Sequence, residues 1–203
     1  MNSRDGLWHH LFAKPNSEYI LRTAMWRVAC GLSEVTGHQI RSDLFRMEEV
    51  PLERVSERAG GPEDEMVGVY LLTKGDLLGQ ALMILSVPSA LQLAKWLVGS
   101  MIGSTTSGEE LGEMERSALA EMGNLAISRF LNCVAVHAGW SRLLRPSVPG
   151  VMVNMLGAIM DVVVTPVAAS QDEWLIVETL FRDARNAVQI RFWVLPERGW
   201  GLH

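Results

Sequence analysis

Two stretches of this chain share one layout, and a repeat of this size restricts the fold more than any other feature of the sequence. Residues Glu65 to Pro88 read as two strands around a Lys74-Gly75-Asp76 turn, the Gly and Asp suiting a tight reversal. Residues Glu173 to Pro196 read the same way, turning near Arg182-Asp183-Ala184, and the two segments keep a constant offset of 108 residues from Glu65/Glu173 to Pro88/Pro196. A long helical stretch precedes each hairpin. The first runs from Ser17 to Thr36 and stops at Gly37; the second runs from Glu113 to Ala138 and stops at Gly139, glycine being the residue best suited to a left-handed helix end.

Shorter features complete the pattern. Ser89 to Val98 reads as an amphipathic helix, Gly99 to Gly108 as the linker between the halves, and Ile40 to Val55 as a further extended segment stopped near Pro51. Helix followed by strands in each half predicts an α+β fold: a mainly antiparallel sheet flanked by two long helices and related by a pseudo-twofold. Two hairpins alone would be marginal, so residues 1–203 are expected to form one domain from two related halves (about 17–99 and 109–197) sharing a core.

Composition narrows the function classes. A net charge of −5, with no basic block, removes the attraction to phosphate backbones on which nucleic-acid binding depends. No apolar run reaches the length of a membrane span, and the first twenty residues do not resemble a signal peptide, so a cytoplasmic protein is expected. Cys30 and Cys133 lie in apolar helical runs and read as buried thiols. The histidines show no ligand spacing: His9 and His10 sit in a terminus expected to fray, His38 follows a helix end, His137 lies on an apolar stripe, and His203 is last. No metal is assigned. Most of the seven tryptophans occupy apolar positions and read as core or half-buried surface.

The helix from Glu113 to Ala138 carries the most information. Leu119, Met122, Ala126, Phe130, Cys133 and His137 fall on one side as the core stripe. Ser117, Glu121, Asn124 and Ser128 fall on the other, so a carboxylate and a carboxamide project side by side from a rigid support. The plain explanation is a solvated helix face. Against it, Asn124 is a poor mid-helix residue and Gly123 costs about 1 kcal/mol relative to Ala. Close approach of another protein's backbone or of an adjacent helix would account for that pair.

Glu113-Met-Glu-Arg-Ser117-Ala-Leu-Ala-Glu121-Met-Gly-Asn124 resembles the signature helix of the CheC/CheX/FliY family, closest to CheC. The likeness extends to Ser33-Glu-Val-Thr-Gly37, Val50-Pro-Leu-Glu-Arg-Val, Gly60-Gly-Pro-Glu, the first hairpin, and Leu156-Gly-Ala-Ile-Met-Asp161. It implies a CheC-like fold and a phosphatase of bacterial chemotaxis that hydrolyses the aspartyl phosphate of a CheY-type response regulator. Asn124 would hold the attacking water, Glu121 would pair with the regulator's active-site Lys, and Ser117 would support the interface. The chain itself would bind no cofactor, the magnesium belonging to the regulator.

The resemblance is not uniform. Aligning Gly37 with Gly139 puts Tyr19 and Arg22 where two-site relatives repeat Glu and Asn, so the first site is degenerate. The signature's proline falls between Pro146 and Pro149, a small change of length. Two other readings follow from the same family: a non-catalytic adaptor that binds the receptor deamidase CheD through Asp161, and a flagellar switch component like FliY. Unrelated enzyme classes find no support, because the chain has no Gly-rich phosphate loop, nucleophile elbow or metal-ligand cluster.

Overall fold

The computed structural model describes residues 7–74, 79–102, 110–140, 144–168 and 172–196. At its centre is an antiparallel sheet of β1 (Ile40–Pro51), β2 (Glu65–Lys74), β3 (Gly79–Ser86), β4 (Arg145–Pro146), β5 (Gly150–Met155), β6 (Glu173–Asp183) and β7 (Gln189–Pro196). The order is β1-β6-β7-β3-β2, with β4 and β5 both paired to the outer side of β2. Each hairpin therefore receives the leading strand of the other half. Pro51 pairs with Glu173 and Ile40 with Asp183 on one side, while Glu65 pairs with Met155 on the other.

Helices cover both faces. The helices α1 (Leu7–Phe12), α2 (Ser17–Thr36), α4 (Val87–Ile102) and α5 (Glu113–Ala138) share the larger core with Val67, Val69 and Leu71 of β2. The short α3 (Val55–Ala59) and α6 (Leu156–Ala168) close the opposite face over Leu82, Ile84, Trp174, Ile176, Trp193 and Leu195. β3 is buried from Gly79 to Leu85 because it lies centrally between both layers, which is why its sequence from Ala81 to Leu85 is an unbroken apolar run rather than an alternation. Among the described residues no helix is long and apolar enough to cross a membrane.

The α+β architecture matches expectation, and so do both long helices, each ended by a left-handed glycine: Gly37 at φ 69 and Gly139 at φ 77. The constant 108-residue offset does not survive. Leu175, Val177 and Phe181 of β6 face the same core as Val67, Val69 and Leu71, which an even offset preserves. Ile190, Phe192 and Val194 of β7 share that core with Ala81, Met83 and Leu85, which needs an odd one. The cause is the turn: residues 74–78 separate the last pair of the first hairpin, Thr73 and Gly79, whereas residues 183–188 separate Arg182 and Gln189. One extra residue inverts every side chain that follows.

Other expectations need adjusting. His10 stands in α1, a helix anchored by the buried Trp8 and Leu11, so this part of the terminus is folded where fraying was expected. α4 continues through Gly99 to Ile102, since nothing there interrupts the helix, and the rest of the expected linker, 103–108, lies outside the described residues. So do Gly75 and Asp76 of the first turn, and the tail with Trp200 and His203. His137 is exposed although the stripe pointed it inward: near the end of α5 its ring turns back to the Cys133 carbonyl, with Nδ1 at 2.9 Å. Trp26 is exposed as well.

Candidate functional site: one face of the second long helix

α5 is set down firmly on the sheet. A Cβ added to Gly123 would lie 2.6 Å from Val69 Cγ1, so the missing side chain lets the helix approach β2. The expectation of a close neighbour at Gly123 is met from within the molecule, by a strand rather than by another protein or an adjacent helix. At the start of α5, Glu113 and Glu115 suit the positive end of the helix dipole, and Arg116 Nε donates to the Leu111 carbonyl at 3.1 Å.

With Met122, Gly123 and Ala126 turned down, Ser117 and Glu121 are exposed and Asn124 and Ser128 are half-buried. Ser117, Glu121 and Asn124 share one face of one helix. Among the described residues none gives Ser117, Glu121 or Asn124 a hydrogen bond or an ion pair. A carboxylate and a carboxamide one turn apart are thus left open to an incoming partner. Among the described residues they line neither the cleft of ≈ 290 Å³ between His38, Gln92, Trp96, Asp183 and Arg185 nor that of ≈ 310 Å³ beside Glu48, Glu49, Arg54 and Arg58. Among the described residues no three His, Cys, Asp or Glu side chains converge as a metal would require.

Tyr19 and Arg22 occupy the corresponding face of α2. The alignment through Gly37 and Gly139 also carries Arg27 onto Arg129 and Gly31 onto Cys133, and each arginine is directed at the other helix. The Arg129 side chain fills the space over Gly31 and ion-pairs with Glu34, while the Arg27 charge acts on Cys133. Burial pushes the Cys133 thiol up, and Arg27 counters only part of that effect. Where α5 leaves its polar pair free, α2 engages Arg22: its Nε is 2.8 Å from Glu18 Oε1, and its guanidinium carbon stands 4.4 Å from the centroid of the Phe45 ring.

Asp161 is exposed on α6, across the sheet from α5. α6 rests on Gly68, where a Cβ would meet Ile159 Cγ2 at 2.9 Å, whereas α5 rests on the next residue, Val69, whose side chain points the other way. Asp161 is therefore not brought together with Glu121 and Asn124. Sequence reasoning missed Trp26, which stands with Tyr19 and Arg22 on one stripe; overlaying α2 on α5 position by position would have found it.

No family model matches the chain. It is 28% identical over 142 residues to a protein of Bacillus subtilis named CheY-P phosphatase CheC, a match spanning 68% of this chain and 66% of that relative, just under two thirds of its length. Its fold is that of Thermotoga maritima FliY, with TM-score 0.66 and 20% identity over 88% of this chain and 87% of the other. It is also similar to CheX of Borrelia burgdorferi, solved in a complex with CheY, BeF3 and magnesium: TM-score 0.54 and 16% identity, covering 87% and 97% of the two chains. At such identities the structural likenesses establish the fold alone.

Proposed function

We propose that this chain, a member of the CheC/CheX/FliY family near CheC, is a phosphatase that hydrolyses the aspartyl phosphate of a CheY-type response regulator, using the single Glu121/Asn124 face of α5. The observation that carries this reading is the uncovered carboxylate and carboxamide on a helix surface, outside the clefts. A site on an open helix face suits a substrate that brings its own pocket, as a phosphorylated receiver does.

An acyl phosphate is already reactive, so the chemistry needs mainly a water held in line with the breaking P–O bond. The Asn124 carboxamide is uncharged and both donates and accepts, so it orients a water without repelling the phosphoryl oxygens. The water oxygen bonds to phosphorus as the aspartyl carboxylate departs with the electron pair, and the water's proton passes to the released phosphate or to solvent. Glu121, one turn earlier, pairs with the regulator's Lys and fixes the register; a charge-assisted hydrogen bond of about 1.5 to 3 kcal/mol is enough to select one geometry. Ser117 supports the rim of the interface. Magnesium enters with the regulator.

Asp161, exposed on the opposite face of the sheet, gives the adaptor reading its own surface: a CheD-type deamidase docked there would leave α5 clear. The deciding measurement is phosphate release from phosphorylated CheY-type regulators. Wild-type chain is expected to accelerate release and Asn124→Ala to lose the acceleration; equal rates for both proteins would end the catalytic reading.

A further inference from the structure

Position by position, α2 presents Tyr19, Arg22 and Trp26 where α5 presents Glu121, Asn124 and Ser128. This face has not reverted to an ordinary solvated surface. Tyr19 is 65% and Trp26 54% exposed, one on each side of Arg22 along a single stripe. Exposed aromatics flanking an arginine have the composition that recurs at the centres of protein interfaces. The arginine is also held in place, its guanidinium over the Phe45 ring and its Nε on Glu18. The Glu18 pair is exposed and of a kind weak enough to be exchanged for a stronger anion. Arg27, with its guanidinium carbon 5.2 Å from the Trp26 ring centroid, adds a second positive charge.

We propose that α2 is a second docking face for the phosphorylated regulator, one that holds the phosphoryl group and does not hydrolyse it. The proposal rests on the regulator being the partner of α5. Its support is twofold. The two helices are the same rod on the same layer of the sheet, so a surface that fits over one fits over the other. The charge is complementary: a guanidinium meets the phosphoryl anion where α5 offers a neutral amide.

The same substitution explains why turnover fails. Arginine only donates, so it cannot accept a hydrogen bond from water and set that water in line; it contacts the phosphoryl oxygens directly. Tyr19, in the place of Glu121, removes the carboxylate that would pair with the regulator's Lys. Because Gly31 meets Arg129 and Arg27 acts on Cys133, the helices run antiparallel and put Arg22 and Asn124 toward opposite ends. At 1.5 Å per residue the two are on the order of 20 Å apart along the axis, which separates the two docking centres.

Titration calorimetry with a CheY-type regulator activated by magnesium and beryllofluoride, which cannot be hydrolysed, tests this. Wild-type chain is expected to bind two regulators. Tyr19→Ala with Arg22→Ala is expected to bind one, with kcat for phosphate release unchanged, a result that also shows the variant is folded. Glu121→Ala with Asn124→Ala is expected to keep the α2 site, weakened about tenfold or more when beryllofluoride is omitted. A single site in the wild type, or a stoichiometry that the Tyr19 and Arg22 changes leave alone, overturns the proposal. If release by wild type persists in that case, only the α2 inference is lost; if neither release nor binding occurs, the reading of α5 is lost with it.

Discussion

α2 and α5 are built to one plan and finished differently. Both lie on the larger core, both end in a left-handed glycine, and equivalent arginines act across to the other helix, Arg129 by packing on Gly31 and Arg27 through its charge on Cys133. On α5 the outward stripe carries small or polar groups without partners; on α2 it carries two aromatics and an arginine tied to Glu18 and Phe45. The difference teaches that scaffold and chemistry are separable here. Packing constrains the inward residues of both rods, while the outward residues contribute little to stability and are free to differ.

The sharpest break in the comparison is at Asn124, whose place α2 gives to Arg22. Asn124→Ala is expected to reduce the rate of phosphate release by about 100-fold, since it removes the group proposed to orient the water, with no change in thermal unfolding. Glu121→Ala is expected to act mainly on KM, raising it about tenfold, because in the proposed mechanism it loses a registering contact and leaves the water in place. A KM unchanged in steady-state assays would contradict that role.

Stability measurements sharpen the comparison on the packed side. Gly123→Val would drive a side chain into Val69 and is expected to cost about 2 to 3 kcal/mol in urea unfolding. At Gly31 the obstruction is the Arg129 side chain, which is flexible, so Gly31→Ala should cost about 1 kcal/mol or less. Equal penalties would mean that the two rods are not seated as described.

The hairpin turns give a related contrast. Asp183 organises the longer turn, accepting from the backbone N–H of Val188 and of Arg185, each at 2.8 Å. Burial pushes its carboxyl up, but the hydrogen bonds from Val188 and Arg185 outweigh that and hold it below the usual carboxylate range. A depressed folded value stabilises the fold above the ordinary Asp range and is lost as pH falls through the lowered one. Asp183→Ala should therefore cost about 1 to 2 kcal/mol at neutral pH and progressively less in acid, read from denaturant midpoints across a pH series. The smallest expected effect is a gain: Tyr19→Glu with Arg22→Asn would give α2 the α5 pair and should raise phosphate release per chain by up to about twofold. Release no higher than wild type would show that the Glu/Asn pair alone does not make α2 an active face.

Much of this was legible in advance because it depends on local rules. Gly37 and Gly139 announce their helix ends, and spacing alone puts Ser117, Glu121 and Asn124 on one side of α5. What stayed hidden was non-local. The pairing of β1 with β6 and of β5 with β2 has no signature in either strand, since alternation says which face is buried and not which neighbour lies beside it. The slip between the hairpins was concealed by apolar runs dense enough to look aligned in either register. Gly123 drew attention as a poor helix residue, but only the fold could say that Val69 is what it makes room for.

The crossed pairing of leading strands bears on how such a chain is made. Pro51 has its partner at Glu173, so when β1 leaves the ribosome the strand it must lie against has not been synthesised. Until then the long edge of β1 stays open and the first half has an incomplete sheet. High contact order of this kind slows folding and lengthens the time during which an unpaired edge can find the wrong neighbour. Completion of the sheet therefore falls late in synthesis, when β6 and β7 emerge and join both halves in one step.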